Sequence, residues 1–564
     1  MGSHAPSVAR GDDDDRSTLF GNHAQGLGIG ERNGLSPAQA GRTDALRDAL
    51  MDLPRRLRLV QDSTTGEIRQ LDDRQEFTNA RGATAVQAEV PALPIDRLGD
   101  PAFLAEHGLK YACVAGSMAN GIASVEIVEA MARAGMLGFF GAAGLAPVAV
   151  ETAIDRLSKN LGDLPFGANL IHSPQEPALE SKIVDLYLRK GVRLVEASAF
   201  LDLTLPIVRY RVTGISRDSQ GNIVAPNKVM AKASRVEVAA KFMKPPPAAS
   251  LRELVARGEI TAEQAELARH VPMAQDVTAE ADSGGHTDNR PAITLLPTFA
   301  ALRDRIQSEQ GYEVPLRVGA AGGIATPGSV AAALAMGAAY VMTGSVNQGC
   351  VESGSSDAVR SLLAQAQQAD TMMAPAADMF EMGVKLQVLK RGTMFPMRAA
   401  KLYDLYRTRS SLDDIPLDER ISLEKTIFRA SLGEIWELTR AFFLERDPNQ
   451  VERAARDPKH KMALVFRWYL GHSSRWANAG ESTRTLDYQV WCGPSMGAFN
   501  EWSKGTFLET AERRQVATVS LNLLYGAAVL TRASIARFQG VRLASGFPRF
   551  LPLTSSELAS RLNP

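Results

Sequence analysis

Cysteine is scarce in this chain of 564 residues: Cys113, Cys350 and Cys492 lie far apart, with no CxxC and no metal-ligand spacing. That excludes a disulfide scaffold and predicts a reducing, cytoplasmic setting. Excess charge of either sign is also missing. Lys plus Arg and Asp plus Glu both number 63, so net charge gives no pointer to nucleic acid, and any basic docking surface has to be local. There is no P-loop, no HExxH and no GxSxG, and no GxGxxG follows the first candidate strand. In place of a basic and then apolar leader the N-terminal region carries Asp12 to Asp15, so no targeting signal is predicted. A long unbroken apolar run is absent too. Val318 to Val351 contains no charged residue, but Gly322, Gly323, Pro327 and Gly337 interrupt it. A membrane span needs about 20 predominantly apolar residues; this stretch instead predicts a buried strand, turn, helix and strand. No internal repeat is visible.

What is present fits a globular protein, with 45% apolar and 22% charged residues. The length exceeds one compact domain of ordinary size. Residues 1–50, rich in Gly, Asp and Ala, predict a poorly ordered segment. Residues 51–100 predict a small β-subdomain with a hairpin turning at Thr65-Gly66. From Tyr111, short apolar runs alternate with amphipathic helical patterns. Eight candidate strands (111–116, 137–142, 165–171, 192–198, 228–234, 276–282, 316–321, 340–345) predict an α/β fold, a (β/α)8 TIM barrel over 101–350. Its function belongs at the C-terminal strand ends; a doubly wound sheet is the alternative. Residues 204–226 predict a hairpin, and 244–275 a lid-like insertion of short helices. Residues 351–564 predict a C-terminal helical domain.

The candidate site residues follow from that layout. "VGAAGGI" ends one strand at Gly322-Gly323, and "VMTGS" ends the next at Gly344-Ser345. In barrels, the loops after strands 7 and 8 often hold phosphate through backbone N–H groups. "VAGSMANGIAS" places Ala115, Gly116 and Met118 at the end of the first strand, small enough to underlie a flat ring. Asn169 stands near the end of the third strand. Lys232, inside an apolar strand, needs a partner, either an anionic ligand or a structural carboxylate. In "EADSGGHTDNR", Gly284 and Gly285 permit a sharp turn or close approach, and His286 follows at the edge of whatever they touch.

"AAGGIATPGSVAAALAMGAAYVMTGS" and "EADSGGHTDNRP" resemble the superfamily of FMN-dependent enoyl reductases and nitronate monooxygenases, whose members carry Gly-Gly-His after the sixth strand. "YACVAGSMANGIASVEIVEAMARAGMLGFFGAAGL", "NKVMAKASRVEVAAKFM", "FPMRAAKLYDLYRTRSSLDDIP" and "CGPSMGAFNEW" are similar to the trans-acting enoyl reductases of polyunsaturated fatty acid and trans-acyltransferase polyketide synthases, the PfaD family. The resemblance spans roughly 90 to 540. It implies FMN bordered by Gly284 and Gly285, and His286 facing the reacting groups. It further implies NADPH as hydride donor and an enoyl thioester on an acyl carrier protein as substrate. The alternatives are a nitronate monooxygenase-like flavin oxidase and a flavin-binding scaffold of a synthase complex. Carrier proteins are acidic, so the basic stretch between Lys385 and Arg409 is the candidate docking surface, with Lys390, Arg391, Arg398 and Lys401 its chosen residues. A homodimer is compatible with the sequence.

Overall fold

The computed structural model describes residues 45–71, 85–172, 177–544 and 546–562. Residues 1–49 form a unit of their own, of which 45–49 are described and helical. The expectation for the rest of that segment lies outside the described residues.

In the unit from Leu50 onward, eight parallel strands close into a barrel. They are β1 (Cys113–Ala115), β2 (Leu137–Phe140), β3 (Gly167–Ile171), β4 (Leu194–Ser198), β5 (Lys228–Ala233), β6 (Asp276–Glu280), β7 (Arg317–Ala321) and β8 (Val341–Thr343). All eight fall inside the predicted runs. They read as almost continuous apolar segments because both faces of a parallel barrel are covered. β1 closes the ring, with Val114 opposite Met342 of β8 and Leu137 of β2. Two glycines make room for rings inside. A Cβ on Gly167 would lie 2.3 Å from Phe139, and one on Gly319 would lie 2.2 Å from Tyr340. At the N-terminal end, buried Asp276 meets Arg317 at 2.6 Å and His107 at 2.8 Å. Burial opposes its charge, but His107 and Arg317 prevail and lower its carboxyl to about 2.

Helices α1 (Val125–Arg133), α2 (Pro147–Leu161), α3 (Pro177–Lys190), α4 (Leu205–Val212), α5 (Val236–Met243), α6 (Ala292–Gln310) and α7 (Pro327–Ala335) follow the first seven strands. After β8 there is only the turn of helix Ser345–Gln348 before the chain departs. The eighth helix is α8 (Val516–Phe538), which packs between α7 and α1. The barrel therefore does not end near 350. The chain between is an excursion from its last βα loop. Helix α8 is long and apolar enough to cross a membrane, but most of it is buried against the barrel.

The excursion is not wholly helical. Strands Thr371–Pro375 and Lys385–Leu389 pair antiparallel, and Gly285–His286 joins them as a third strand. Ala374, Leu386 and Val388 enter a core with Phe395, Phe466 and Tyr469 of the helices that follow. The N-terminal strands Leu57–Asp62, Ile68–Leu71 and Ala85–Val90 form a three-stranded antiparallel sheet with Leu57–Asp62 in the middle. Buried Arg532 of α8 donates to the carbonyls of Leu50, Asp52 and Arg55, tying the chain before it to the barrel.

Two further expectations need correction. Residues 204–226 begin with barrel helix α4, and only Ser216–Arg217 and Ile223–Val224 form the hairpin. The insertion at 244–275 forms short helices, Ala248–Ala256 and Ala262–Leu267, but it is not a lid. It runs from α5 into the start of β6, and such connections lie at the barrel's N-terminal end, away from the mouth. Its anchors agree: Arg211, late in α4, donates to the Pro272 carbonyl, and Tyr312, ahead of β7, to that of Met243.

Candidate active site

The C-terminal face of the barrel is built from several strand ends. After β1, the Gly116 N–H donates to the Thr343 carbonyl at 3.0 Å, fastening this end to β8. Ser117 donates its backbone N–H (3.1 Å) and its hydroxyl to Glu196 Oε2. Glu196, on β4, is wholly buried. Lys232, on β5, has its Nζ 3.1 Å from Glu280 Oε1 and 3.9 Å from Glu196 Oε2. The partner this lysine requires is thus a pair of carboxylates. Burial raises the Glu196 carboxyl above its ordinary range, and Lys232 and Ser117 only partly offset it. For Lys232 burial works against the charge, but Glu280 and Glu196 outweigh it and raise the amine. Asn169, on β3, donates to the Glu196 carbonyl at 3.2 Å and to Ser198 Oγ at 3.0 Å, so its amide nitrogen serves β4.

The loop after β6 carries the Gly-Gly-His. A Cβ on Gly284 would lie 2.8 Å from the Cys492 backbone nitrogen, so this glycine admits the returning chain at 491–493. Gly285 has φ +80°, the left-handed region open to glycine. Gln387 pins the loop by donating to Asp282 Oδ1 and the Ser283 carbonyl at 2.8 and 2.7 Å. His286 Nε2 is 3.2 Å from Asp378 Oδ1, and its side chain keeps 34% exposure. Burial favours the neutral ring, but the hydrogen bond and charge of Asp378 prevail and hold it above the ordinary histidine value.

The glycines after β7 and β8 divide by role. A Cβ on Gly322 would strike the Ala281 backbone at 2.5 Å, so that glycine packs the strand ends together. Around Gly323 (φ +74°) and Gly344, an added Cβ would meet nothing within 4 Å. Backbone here faces open space. Ser345 Oγ accepts from the Gly493 N–H at 3.2 Å, so the excursion's last stretch touches both the β8 end and the β6 loop.

Ala115, Gly116, Met118, Asn169, Lys232, Gly284, Gly285, His286, Gly322, Gly323, Gly344 and Ser345 thus stand at the ends of β1, β3, β5, β6, β7 and β8, on one face of the barrel. The basic stretch does not hold together in the same way. Arg398 is 17% exposed and bonds the buried Asp487, which Arg429 and Arg484 also approach; it is internal structure, unavailable for docking. Arg391 pairs with Asp370 and Lys401 with Glu419, while Lys390 is exposed. Sequence reasoning missed Glu196, although a charged residue inside the apolar run "VRLVEAS" is the same signal that marked Lys232. It also missed Asp378, which reaches His286 only through the folded excursion and has no local signature.

Residues 101–408 match the nitronate monooxygenase family, and residues 409–488 match the inserted helical domain of [acyl-carrier-protein] S-malonyltransferase. The chain is 48% identical over 508 residues to a polyunsaturated fatty acid synthase subunit of Thraustochytrium sp., covering 89% of this chain and 33% of that one. It is 44% identical over 446 residues to polyketide biosynthesis protein PksE of Bacillus subtilis, covering 79% and 57%. It thus spans between a third and three fifths of these relatives' lengths. Among solved structures, the enoyl reductase domain of MlnA, from the macrolactin biosynthesis cluster of Bacillus amyloliquefaciens, is 39% identical with a TM-score of 0.76. The match covers 79% of this chain and 100% of that domain. With more than half its length matched, and its eight-stranded barrel built as described, the chain belongs to the nitronate monooxygenase family and, within it, to the PfaD-like enoyl reductases.

Proposed function

We propose that this protein is an FMN-dependent, trans-acting enoyl reductase. It saturates the α,β double bond of enoyl thioesters carried by an acyl carrier protein, with NADPH as hydride donor, in polyketide or polyunsaturated fatty acid biosynthesis. The observation that carries the reading is the open backbone at Gly323 and Gly344, on the same barrel face as the His286–Asp378 pair.

The residues fit FMN. Gly323, Gly344 and Ser345 would hold its phosphate, since backbone N–H groups free of side-chain cover suit an anion. Ala115, Gly116 and Met118 would underlie the ring system, with Lys232 as the cation at its edge. When bound, FMN supplies hydride transfer from the nicotinamide to the substrate β-carbon. The protein supplies orientation and charge. His286 engages Asp378 through Nε2 and has Nδ1 left to donate to the thioester carbonyl, where negative charge accumulates. Asp378 favours the charged form of the ring, the stronger donor. The partner is the carrier protein that presents the acyl chain, and the setting is cytoplasmic.

Purified protein with NADPH and a crotonyl-loaded carrier protein should yield butyryl-carrier, read by mass spectrometry, with matching NADPH loss. Oxidation of nitroalkanes without any enoyl reduction would replace this reading with the monooxygenase one.

A further inference from the structure

Glu196 has no task in the chemistry just described. It is fully buried, and its two oxygens differ. Oε2 accepts from both the N–H and the hydroxyl of Ser117. Oε1 has no hydrogen-bond partner. A Cβ on Gly116 would lie 3.5 Å from Oε1, so the β1 backbone closes in on that oxygen. An ionised carboxylate with one oxygen unsatisfied there costs far more than a neutral carboxylic acid.

The neighbours agree with an acid. The charged groups facing Glu196 are Lys232 from β5 and Glu280 from β6. Tyr340, ahead of β8, has its hydroxyl bonded to Thr278 at 2.8 Å, and Asn169 of β3 is bonded to the Glu196 carbonyl. Two carboxyl groups therefore share one ammonium. Glu280 is nearer to Lys232 (3.1 against 3.9 Å) and keeps 21% side-chain exposure against 0%, so the ammonium serves Glu280 before Glu196. The spare proton belongs to Glu196. Ser117, only half-buried, connects it to the mouth.

We propose that Glu196 stores the proton each turnover consumes and that Ser117 hands it to the substrate. This rests on the enoyl reductase reading. Hydride addition at the β-carbon leaves an electron pair on the thioester enolate. The Ser117 hydroxyl turns from Glu196 Oε2 toward the substrate, that pair forms the α-carbon C–H bond as the Ser117 Oγ–H bond breaks, and the proton carried on Glu196 Oε2 moves to Ser117 Oγ. Glu196 is left as a carboxylate beside Lys232, and water at the mouth restores its proton through Ser117 after the product leaves. Ser117 is the catalytic donor; Glu196 acts through it.

Infrared difference spectra of FMN-loaded wild type against Glu196→Gln at neutral pH test the storage. The expected result is the C=O stretch of an un-ionised carboxylic acid in the wild type, lost in the variant. Stopped-flow consumption of enoyl thioester should fall about 10²-fold in Glu196→Gln, a usual contribution of a positioned proton donor. Its solvent deuterium isotope effect should change with it, while FMN content stays constant. Ser117→Ala should keep the acid band yet slow the same step, and Ser117→Thr should restore it. Absence of the band overturns the proposal even if the wild type reduces enoyl thioesters. So does an unaltered rate and isotope effect in folded Glu196→Gln and Ser117→Ala. A band without any enoyl reduction overturns instead the proposed function, and with it the proton's destination.

Discussion

At the scale of single residues, His286 and Gly323 carry the sharpest expectations. His286→Ala should retain FMN but lose about 10²-fold in turnover, the scale of removing one stabilising donor. The pH dependence has a definite sign. Asp378 raises the His286 pKa, so the charged ring persists to higher pH and is lost as pH climbs through that raised value. Turnover should fall on that alkaline limb. Asp378→Asn removes the raising charge and leaves burial to lower the pKa, so the limb should move to lower pH; profiles of kcat for the two proteins would display the shift. Gly323→Asp places a carboxylate in the open space beside the backbone. Flavin absorbance of the purified variant should drop to near zero while its circular dichroism stays that of the wild type.

At the scale of elements, α8 shows how closely the last helix is fitted. A Cβ on Gly526 would lie 2.4 Å from Phe550 and 2.6 Å from Pro327 of α7. Gly526→Leu overpacks that seam and should cost about 1–3 kcal/mol or more, read as a lower midpoint in urea. The eight strands were legible because each is short, apolar on both faces and bounded by glycine or proline. The tenancy of the eighth helix position was not, because nothing in "VATVSLNLLYGAAVLTRASIARF" says which groove it fills. The strands Thr371–Pro375 and Lys385–Leu389 were hidden inside a stretch read as helical. The two-residue strand Gly285–His286 exists only as their third member. The site was legible where strand ends carry glycines, and illegible where a partner arrives from a distant part of the chain, as Asp378 does for His286. The basic stretch misled for a related reason: sequence counts charges, but only the fold shows that Arg398 is occupied by Asp487.

At the scale of the whole molecule, the barrel and its excursion are not separable pieces. A fragment ending at residue 350 lacks α8, which packs against both α7 and α1, and should be insoluble or unfolded where the full chain is not; expression of both and circular dichroism would decide. Partner recognition belongs to this scale as well. Lys390 is the exposed member of the chosen basic group without a carboxylate partner among the described residues. Lys390→Glu should raise the apparent KM for carrier-bound substrate and leave a small thioester mimic unaffected, and the difference should shrink with salt, since exposed charges are screened beyond about 10 Å at 0.1 M. The late arrival of α8 also bears on how the protein is made. About 165 residues separate the last barrel strand's exit turn from the helix that seals it. At a synthesis rate of about 5–20 residues per second, the nascent chain spends roughly 10–30 s with the apolar flanks of α1 and α7 uncovered. During that interval the half-made barrel is a natural client for a chaperone on the ribosome, and slowing translation within the excursion would lengthen its exposure to aggregation.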